Sequence, residues 1–140
     1  MRKDTACIHA ARYRDEHGAI ATPIYQSATF VHKGVEEESP FSYSRVQNPT
    51  RAALEARIAA LEGGADAIAF ATGMAAETVM MTLFESSGHV IAGDDLYGGS
   101  IRLFRHVSAP SGIRFDFVDT SDTEKEKSLI RPDTKAIYIE

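Results

Sequence analysis

The chain has 140 residues, of which 44% are hydrophobic and 25% charged, and its formal net charge is −5. This length and composition are typical of a globular domain with a sizeable core, and no apolar run approaches the length of a membrane-spanning helix or signal peptide, so we expect a cytoplasmic protein. The charge is spread along the chain without a basic stripe, which argues against nucleic acid as a partner.

The first 47 residues lack a sustained hydrophobic period and contain many turn residues, so the sequence predicts an extended N-terminal arm over 1–47. Apolar and aromatic side chains in 20–30 need a surface to lie on, and a neighbouring subunit would provide it. Near the end of the arm, Tyr43 and Arg45 offer a phenol and a guanidinium that can hydrogen-bond phosphate oxygens. A surface arginine is the simpler alternative.

The pattern changes at Asn48, where a helix is predicted. Asn48 suits the capping position, Pro49 suits the first helical position, and Gly63 with Gly64 ends the helix. Apolar residues repeat on one face at Leu54, Ile58 and Leu61.

After this helix, short apolar runs alternate with helical patterns. Such an alternation implies right-handed crossovers and a mainly parallel sheet with flanking helices, an α/β fold in which 48–140 form the first part of a truncated domain. The predicted strands are 67–71, 90–93, 113–118 and 136–139, and the predicted helices between them are 74–84, 100–107 and 123–129.

Open parallel sheets bind ligands beyond the carboxyl ends of their strands, so the segments at those ends are candidate sites. In the first, 72–74, Gly73 lets backbone N–H groups approach an anion, although a strand-to-helix turn often needs a glycine merely to turn. In the second, Tyr97 precedes two glycines and can stack on a planar heterocycle or transfer a proton, or simply anchor a loop. Segment 119–121 and Glu140 qualify by position alone.

No metal site is predicted. The five histidines show no metal-ligand spacing, and we interpret each as structural or solvated. The single cysteine, Cys7, excludes an internal disulfide and is interpreted as a packing residue.

Taken in order and spacing, the motifs resemble the cystathionine synthase and lyase family of pyridoxal phosphate (PLP) enzymes. The resemblance covers almost the whole chain, including the upstream arm segment 23–30. The motifs are Tyr43-Ser44-Arg45, Asn48-Pro49-Thr50-Arg51, Leu61-Glu62-Gly63-Gly64, the run 70–76, and Tyr97-Gly98-Gly99.

The resemblance implies the large domain of the aspartate-aminotransferase-like fold (fold type I), with pyridoxal 5'-phosphate as cofactor and a homotetramer built from two close dimers. It also implies a lyase or transferase of methionine biosynthesis and cysteine metabolism. Such enzymes carry out transsulfuration by β- or γ-elimination or γ-replacement on cystathionine or activated homoserine. Gly99 and Arg51 resemble the synthases and lyases more than the methionine γ-lyases.

Five residues match the family's site. The resemblance implies that the backbone amides of Gly73 and Met74 hold the cofactor phosphate, and that Tyr97 stacks on the pyridine ring and assists proton transfer. It implies further that Tyr43 and Arg45 reach across the dimer interface to the phosphate of a neighbouring subunit.

The family's cofactor-bound lysine is not matched, and by resemblance it would follow Glu140. We therefore expect an N-terminal portion, inactive alone, that is a fragment, a truncated gene product or one piece of a split enzyme. Two alternatives remain: an interaction module that associates with a full-length relative, and a fragment that binds PLP or phosphate without turnover. The lysines without a matching context are Lys3, Lys33, Lys125, Lys127 and Lys135.

Overall fold

The computed structural model describes residues 2–11, 16–32, 34–35, 37, 39–84 and 86–140. The chain divides into two compact units, Met1–Ala69 and Phe70–Glu140. Among the helices of the described ranges, none is long and apolar enough to cross a membrane.

The first unit contains the helix predicted after Asn48. Helix α2 runs over Pro49–Glu62, where the Asn48 side chain accepts a hydrogen bond from the Thr50 amide at 2.8 Å. It ends at Gly63, whose φ of 68° is the left-handed conformation that glycine adopts without strain. The start and end predicted from the capping residues are confirmed.

Within the predicted arm, the structure adds one short helix, α1, over Lys3–His9. Helix α1 packs against α2. Seven residues make only two turns, which is too short for a hydrophobic period to be recognised in the sequence.

The rest of the described arm folds back on itself and is attached to the start of α2. Thr29 and Tyr43 form an isolated antiparallel bridge. The Asn48 amide group donates to the Tyr25 carbonyl oxygen at 3.0 Å and to the Ser44 hydroxyl at 2.8 Å. Asn48 therefore both caps α2 and binds the arm backbone. Elsewhere in the arm, the Ile20 side chain is 88% exposed.

The second unit is a parallel sheet with helical crossovers, which confirms the predicted α/β class. The strand order is β2-β1-β3, and both pairings of β1 are parallel. Its elements in chain order are α3 Gly73–Met81, β1 His89–Gly93, α4 Gly98–Leu103 continued by a π-helical turn Phe104–Ser108, β2 Arg114–Val118, α5 Thr123–Ser128 and β3 Thr134–Tyr138.

The strand predicted at 67–71 was wrong. The segment has no regular secondary structure, and no strand of the described residues pairs with it. An apolar run becomes a strand only where a ladder partner lies beside it, and β1 already has β2 and β3 on its two sides. The Ala69 amide instead donates to the Glu55 carboxylate at 2.9 Å.

The core of the second unit is built around β1. Val90, Ile91 and Ala92 are fully buried, as expected for a central parallel strand that is covered on both faces. The ring of Phe104, also fully buried, stacks on Phe115 with centroids 4.9 Å apart.

A polar cluster lies at the amino ends of the three strands, opposite the ligand edge. His89 is fully buried at the start of β1, and its Nδ1 atom is 2.8 Å from the Thr134 hydroxyl. Its Nε2 atom is 3.2 Å from the Asp116 carboxylate but has no hydrogen-bond partner among the described residues, and Asp116 also pairs with Arg131 at 3.2 Å. The cluster links all three strands, which agrees with the structural interpretation of His89.

Candidate cofactor site

One side chain connects the segments that follow β1 and β3. Glu140, two residues after β3, accepts a hydrogen bond from the Tyr97 amide at 3.1 Å. The same carboxylate oxygen lies 3.4 Å from the hydroxyl of Ser100, which is fully buried. Of the two candidates chosen by position alone, Glu140 is therefore in contact with the segment that carries Tyr97.

The Tyr97 ring lies directly over Gly99. A Cβ atom added at Gly99 would be 2.3 Å from Tyr97 Cε1 and 2.9 Å from Met74 Sδ. Only a glycine fits under this ring, because real Cβ contacts do not come so close. Tyr97 is nevertheless 59% exposed, so much of the ring is open to a ligand. The structure brings Met74, Tyr97 and Gly99 together at one edge of the sheet.

The start of α3 has the features of an anion site. Thr72 caps the helix, with its hydroxyl oxygen accepting from the Ala75 amide at 3.1 Å. The helical ladder begins with the bonds from Ala75 and Ala76 to the Thr72 carbonyl oxygen, so the N–H groups of Gly73 and Met74 precede it. Apart from its chain neighbours and its own helix backbone, no described atom lies within 4 Å of a Cβ added at Gly73. Open space therefore adjoins the first residue of α3.

A groove of about 450 Å³ lies beside Tyr97, with Met74, Arg102 and His106 among its lining residues. Arg102 and His106 are exposed and belong to α4 and the π-helical turn that follows it. The sequence motifs did not single out these two side chains as site residues.

A second tyrosine lies behind this edge. The Tyr138 hydroxyl is within hydrogen-bonding reach of Ser100 and of Glu77 on α3. Burial, and next the charge of Glu77, raise the pKa of Tyr138 above its usual value, while the Ser100 hydrogen bond opposes them. Sequence reasoning missed this contact, because the proximity of α3 and β3 follows from the crossover and has no local signal.

Tyr43 and Arg45 lie together in the first unit. The Arg45 guanidinium carbon is 4.6 Å from the centroid of the Tyr43 ring, a cation–π distance. Tyr43 is 38% exposed and Arg45 is exposed as well. Both side chains are therefore at the surface of the first unit.

Segment 119–121 closes on itself. The Asp119 carboxylate accepts from the Ser121 hydroxyl at 2.6 Å and from the Ser121 amide at 2.9 Å. These two hydrogen bonds lower the pKa of Asp119 below its usual value. Because its carboxylate is engaged in a local turn, we assign no ligand to this segment.

The described lysines are all at the surface. Lys3, Lys125, Lys127 and Lys135 are exposed, and Lys33 lies outside the described residues. A lysine that binds a cofactor covalently needs a buried position beside it. In the described part of the chain, no group of three or more His, Cys, Asp or Glu side chains is arranged to hold a metal ion.

A parallel sheet with a helix start and an aromatic ring at the same edge is typical of α/β proteins that bind phosphate-bearing ligands. The chain belongs to the Cys/Met metabolism PLP-dependent enzyme family, because the model of that family matches residues 4–140. The family resemblance seen in the motifs is confirmed.

Individual relatives agree with this assignment. The chain is 47% identical to a cystathionine gamma-lyase from Bacillus subtilis, over 100% of this chain and 37% of the relative. It superposes on metB from Corynebacterium glutamicum with a TM-score of 0.89 and 39% identity, covering 99% of this chain and 37% of that one. It also superposes on a cystathionine gamma-lyase from Lactobacillus plantarum complexed with L-serine, with a TM-score of 0.87 and 42% identity, covering 99% of this chain and 36% of that one. The chain thus spans less than half the length of these relatives.

Proposed function

We propose that this chain supplies part of the PLP-binding site of an enzyme of sulfur amino-acid metabolism. The parent protein, meaning the polypeptide or assembly in which the chain works, would catalyse elimination at the β- or γ-carbon, or replacement at the γ-carbon, of cystathionine or activated homoserine. Family membership supports the cofactor, and the cystathionine enzymes among the relatives support the substrate class. The observation that carries the proposal is the convergence of Met74 and Tyr97 over Gly99 at one edge of the sheet.

The residues at this edge fit the chemical groups of PLP. The N–H groups of Gly73 and Met74, with the dipole of α3 behind them, would bind the phosphate. The Tyr97 ring would stack on the pyridine, a contact worth about 0.5–1.5 kcal/mol beyond burial. When bound, PLP supplies an electron sink for negative charge that develops on the substrate.

Within this site, Tyr97 would have two tasks. Its ring would orient the pyridine plane, and its exposed phenolic oxygen would accept or donate a proton beside the reacting carbon. The Tyr97 ring lies against Gly99 and its amide donates to Glu140, which supports a role for this residue at the ligand edge.

Tyr43 and Arg45 would bind the phosphate of a neighbouring subunit through their phenol and guanidinium. The exposed apolar side chains of the arm, such as Ile20 and Ile24, support a role between subunits, since they lack a covering surface. The homotetramer, the inter-subunit arm over 1–47 and a cytoplasmic location stay predictions.

A second candidate function is a fragment that binds PLP or phosphate without turnover. It is favoured by the exposure of Lys3, Lys125, Lys127 and Lys135, which leaves the described residues without a lysine suited to covalent attachment. Release of pyruvate or 2-oxobutyrate from cystathionine, or formation of cystathionine from activated homoserine and cysteine, by the parent protein would distinguish the two functions.

The test of the proposed phosphate site is a charge placed at Gly73. Because a side chain at this position meets no atom within 4 Å, Gly73→Asp and the isosteric Gly73→Asn should both fold. Gly73→Asp should weaken PLP binding to the parent protein at least about tenfold, or ~1.4 kcal/mol, by repelling the phosphate, and Gly73→Asn should weaken it less. Equal PLP affinities for the two variants, measured by fluorescence titration, would show that the phosphate lies elsewhere.

A further inference from the structure

The carboxylate of Glu140 forms a link between the end of β3 and the residue that precedes α4. Its Oε2 atom accepts from the Tyr97 amide at 3.1 Å and lies 3.4 Å from the Ser100 hydroxyl. Tyr97 occupies the capping position of α4, and its own side chain makes no capping hydrogen bond. The start of α4 is therefore tied by a hydrogen bond to a residue 43 positions away in the sequence.

This backbone segment needs an external constraint. Tyr97 is followed by Gly98 and Gly99, and glycines restrict the backbone less than any other residue. The Tyr97 ring can lie over Gly99 only if the backbone around both residues keeps its conformation. A charge-assisted hydrogen bond to the Tyr97 amide is well suited to hold it.

We propose that Glu140 is a positioning residue, whose carboxylate fixes the Tyr97 backbone and thereby the direction in which the Tyr97 ring meets the ligand. The proposal rests on the proposed function, because it takes Tyr97 as the residue that stacks on PLP. Glu140 itself contacts neither cofactor nor substrate in this assignment, and it acts through Tyr97 and Ser100.

Contacts behind the site extend this link to the phosphate-binding helix. Ser100, which lies 3.4 Å from Glu140, is also among the groups near the Tyr138 hydroxyl, together with Glu77 on α3. The Glu77 Oε2 atom is buried and has no hydrogen-bond partner among the described residues. These side chains lie on α3, α4 and β3 and on the residue that follows β3, so the three elements come together near Glu140.

The experiment compares Glu140→Ala and Glu140→Gln with Glu124→Ala in the parent protein. Glu124 is an exposed carboxylate on α5, so its removal makes the same charge change away from the site. Two quantities are measured: amide hydrogen exchange across 96–101 in the cofactor-free protein, and the dissociation constant for PLP. Hydrogen exchange needs no cofactor, so it tests the link to Tyr97 independently of the proposed function.

We expect Glu140→Ala to accelerate exchange of the Tyr97 amide at least about tenfold and to weaken PLP binding by a similar factor. Glu140→Gln keeps an oxygen acceptor without the charge, so it should change the exchange rate and the PLP dissociation constant less than Glu140→Ala does. Glu124→Ala should change neither. The proposal is overturned if exchange at Tyr97 is unchanged in Glu140→Ala, or if exchange rises equally throughout β1, β2 and β3. If the unsubstituted protein itself binds no PLP, the proposed function fails, whereas the exchange result still decides the role of Glu140.

Discussion

The Met74 sulfur and the Tyr97 ring both lie within 3 Å of the position that a Cβ atom at Gly99 would occupy. Met74 belongs to α3 and Tyr97 precedes α4, with β1 between them in the chain. This shared contact unites the two glycine-containing motifs in one site. It also makes Gly99 a sensitive position for testing that site.

Replacing Gly99 with alanine should displace the Tyr97 ring, because the new methyl group would overlap Tyr97 Cε1. We expect Gly99→Ala to weaken PLP binding to the parent protein about three- to tenfold, the loss of a stacking contact of about 0.5–1.5 kcal/mol. Gly98→Ala is the matched control, since its Cβ would approach only the end of the flexible Arg102 side chain, at 3.8 Å. Equal PLP affinities for the two variants would contradict the assigned position of the ring.

Asn48 should stabilise the first unit in two separable ways, through the cap on α2 and through its bonds to the arm. Asn48→Asp keeps the oxygen that accepts from Thr50 but loses the donors to Tyr25 and Ser44. We expect Asn48→Ala to lower the free energy of unfolding by about 1–3 kcal/mol and Asn48→Asp to lower it less. Chemical denaturation followed by circular dichroism measures both, and identical losses would mean that the cap contributes nothing.

The proposed action of Arg45 across subunits predicts complementation between two defective variants. Arg45→Ala should weaken PLP binding about ten- to a hundredfold by removing a hydrogen bond to a charged group worth about 1.5–3 kcal/mol. Mixing Arg45→Ala subunits with Gly73→Asp subunits should then restore tight PLP binding, because each mixed dimer combines an intact helix start with an intact arm. If the mixed protein binds PLP no more tightly than Arg45→Ala or Gly73→Asp alone, the arm serves its own subunit.

A polypeptide of only these 140 residues should have no lyase or synthase activity, even with saturating PLP. Lys125 and Lys127 lie on the exposed α5, Lys3 and Lys135 are also exposed, and none has the buried position that a covalently bound cofactor needs. The measurements are pyruvate or 2-oxobutyrate release from cystathionine, and cystathionine formation from activated homoserine and cysteine, by the purified polypeptide. Turnover that depends on one of its lysines would refute the prediction.

Acid should weaken the turn after β2 through Asp119. The Ser121 hydroxyl and amide hold the folded-state pKa of Asp119 below the unfolded value of 3.8. These bonds therefore contribute fully to stability when the pH is above the pKa of Asp119 in the unfolded state. Their contribution is lost as the pH falls through the pKa of Asp119 in the folded state. Asp119→Asn should unfold with a shallower dependence on pH below about pH 4 than the unsubstituted protein. Parallel denaturation curves for the two proteins in acid would exclude this contribution.

Local chemistry in the sequence was sufficient for several elements. Asn48, Pro49 and Gly63 determine both ends of α2, since capping and chain reversal depend on neighbouring residues alone. The apolar runs at 90–93, 113–118 and 136–139 predicted three strands to within two residues of their ends. Each run becomes β1, β2 or β3 because the sheet buries it.

The segment 67–71 and the contact between Glu140 and Tyr97 depend on tertiary structure. The apolar run at 67–71 resembles a strand in composition, but a strand also needs a hydrogen-bonding neighbour, and composition does not specify one. Likewise, no local pattern pairs Glu140 with Tyr97, 43 residues earlier, since parallel strand order alone brings them together. The sequence by itself therefore determined α2, the three strands of the sheet and the family, because capping, periodicity and motif order are properties of neighbouring residues. Only the tertiary structure decided which side chains meet at the edge of the sheet, because that depends on crossovers between distant segments.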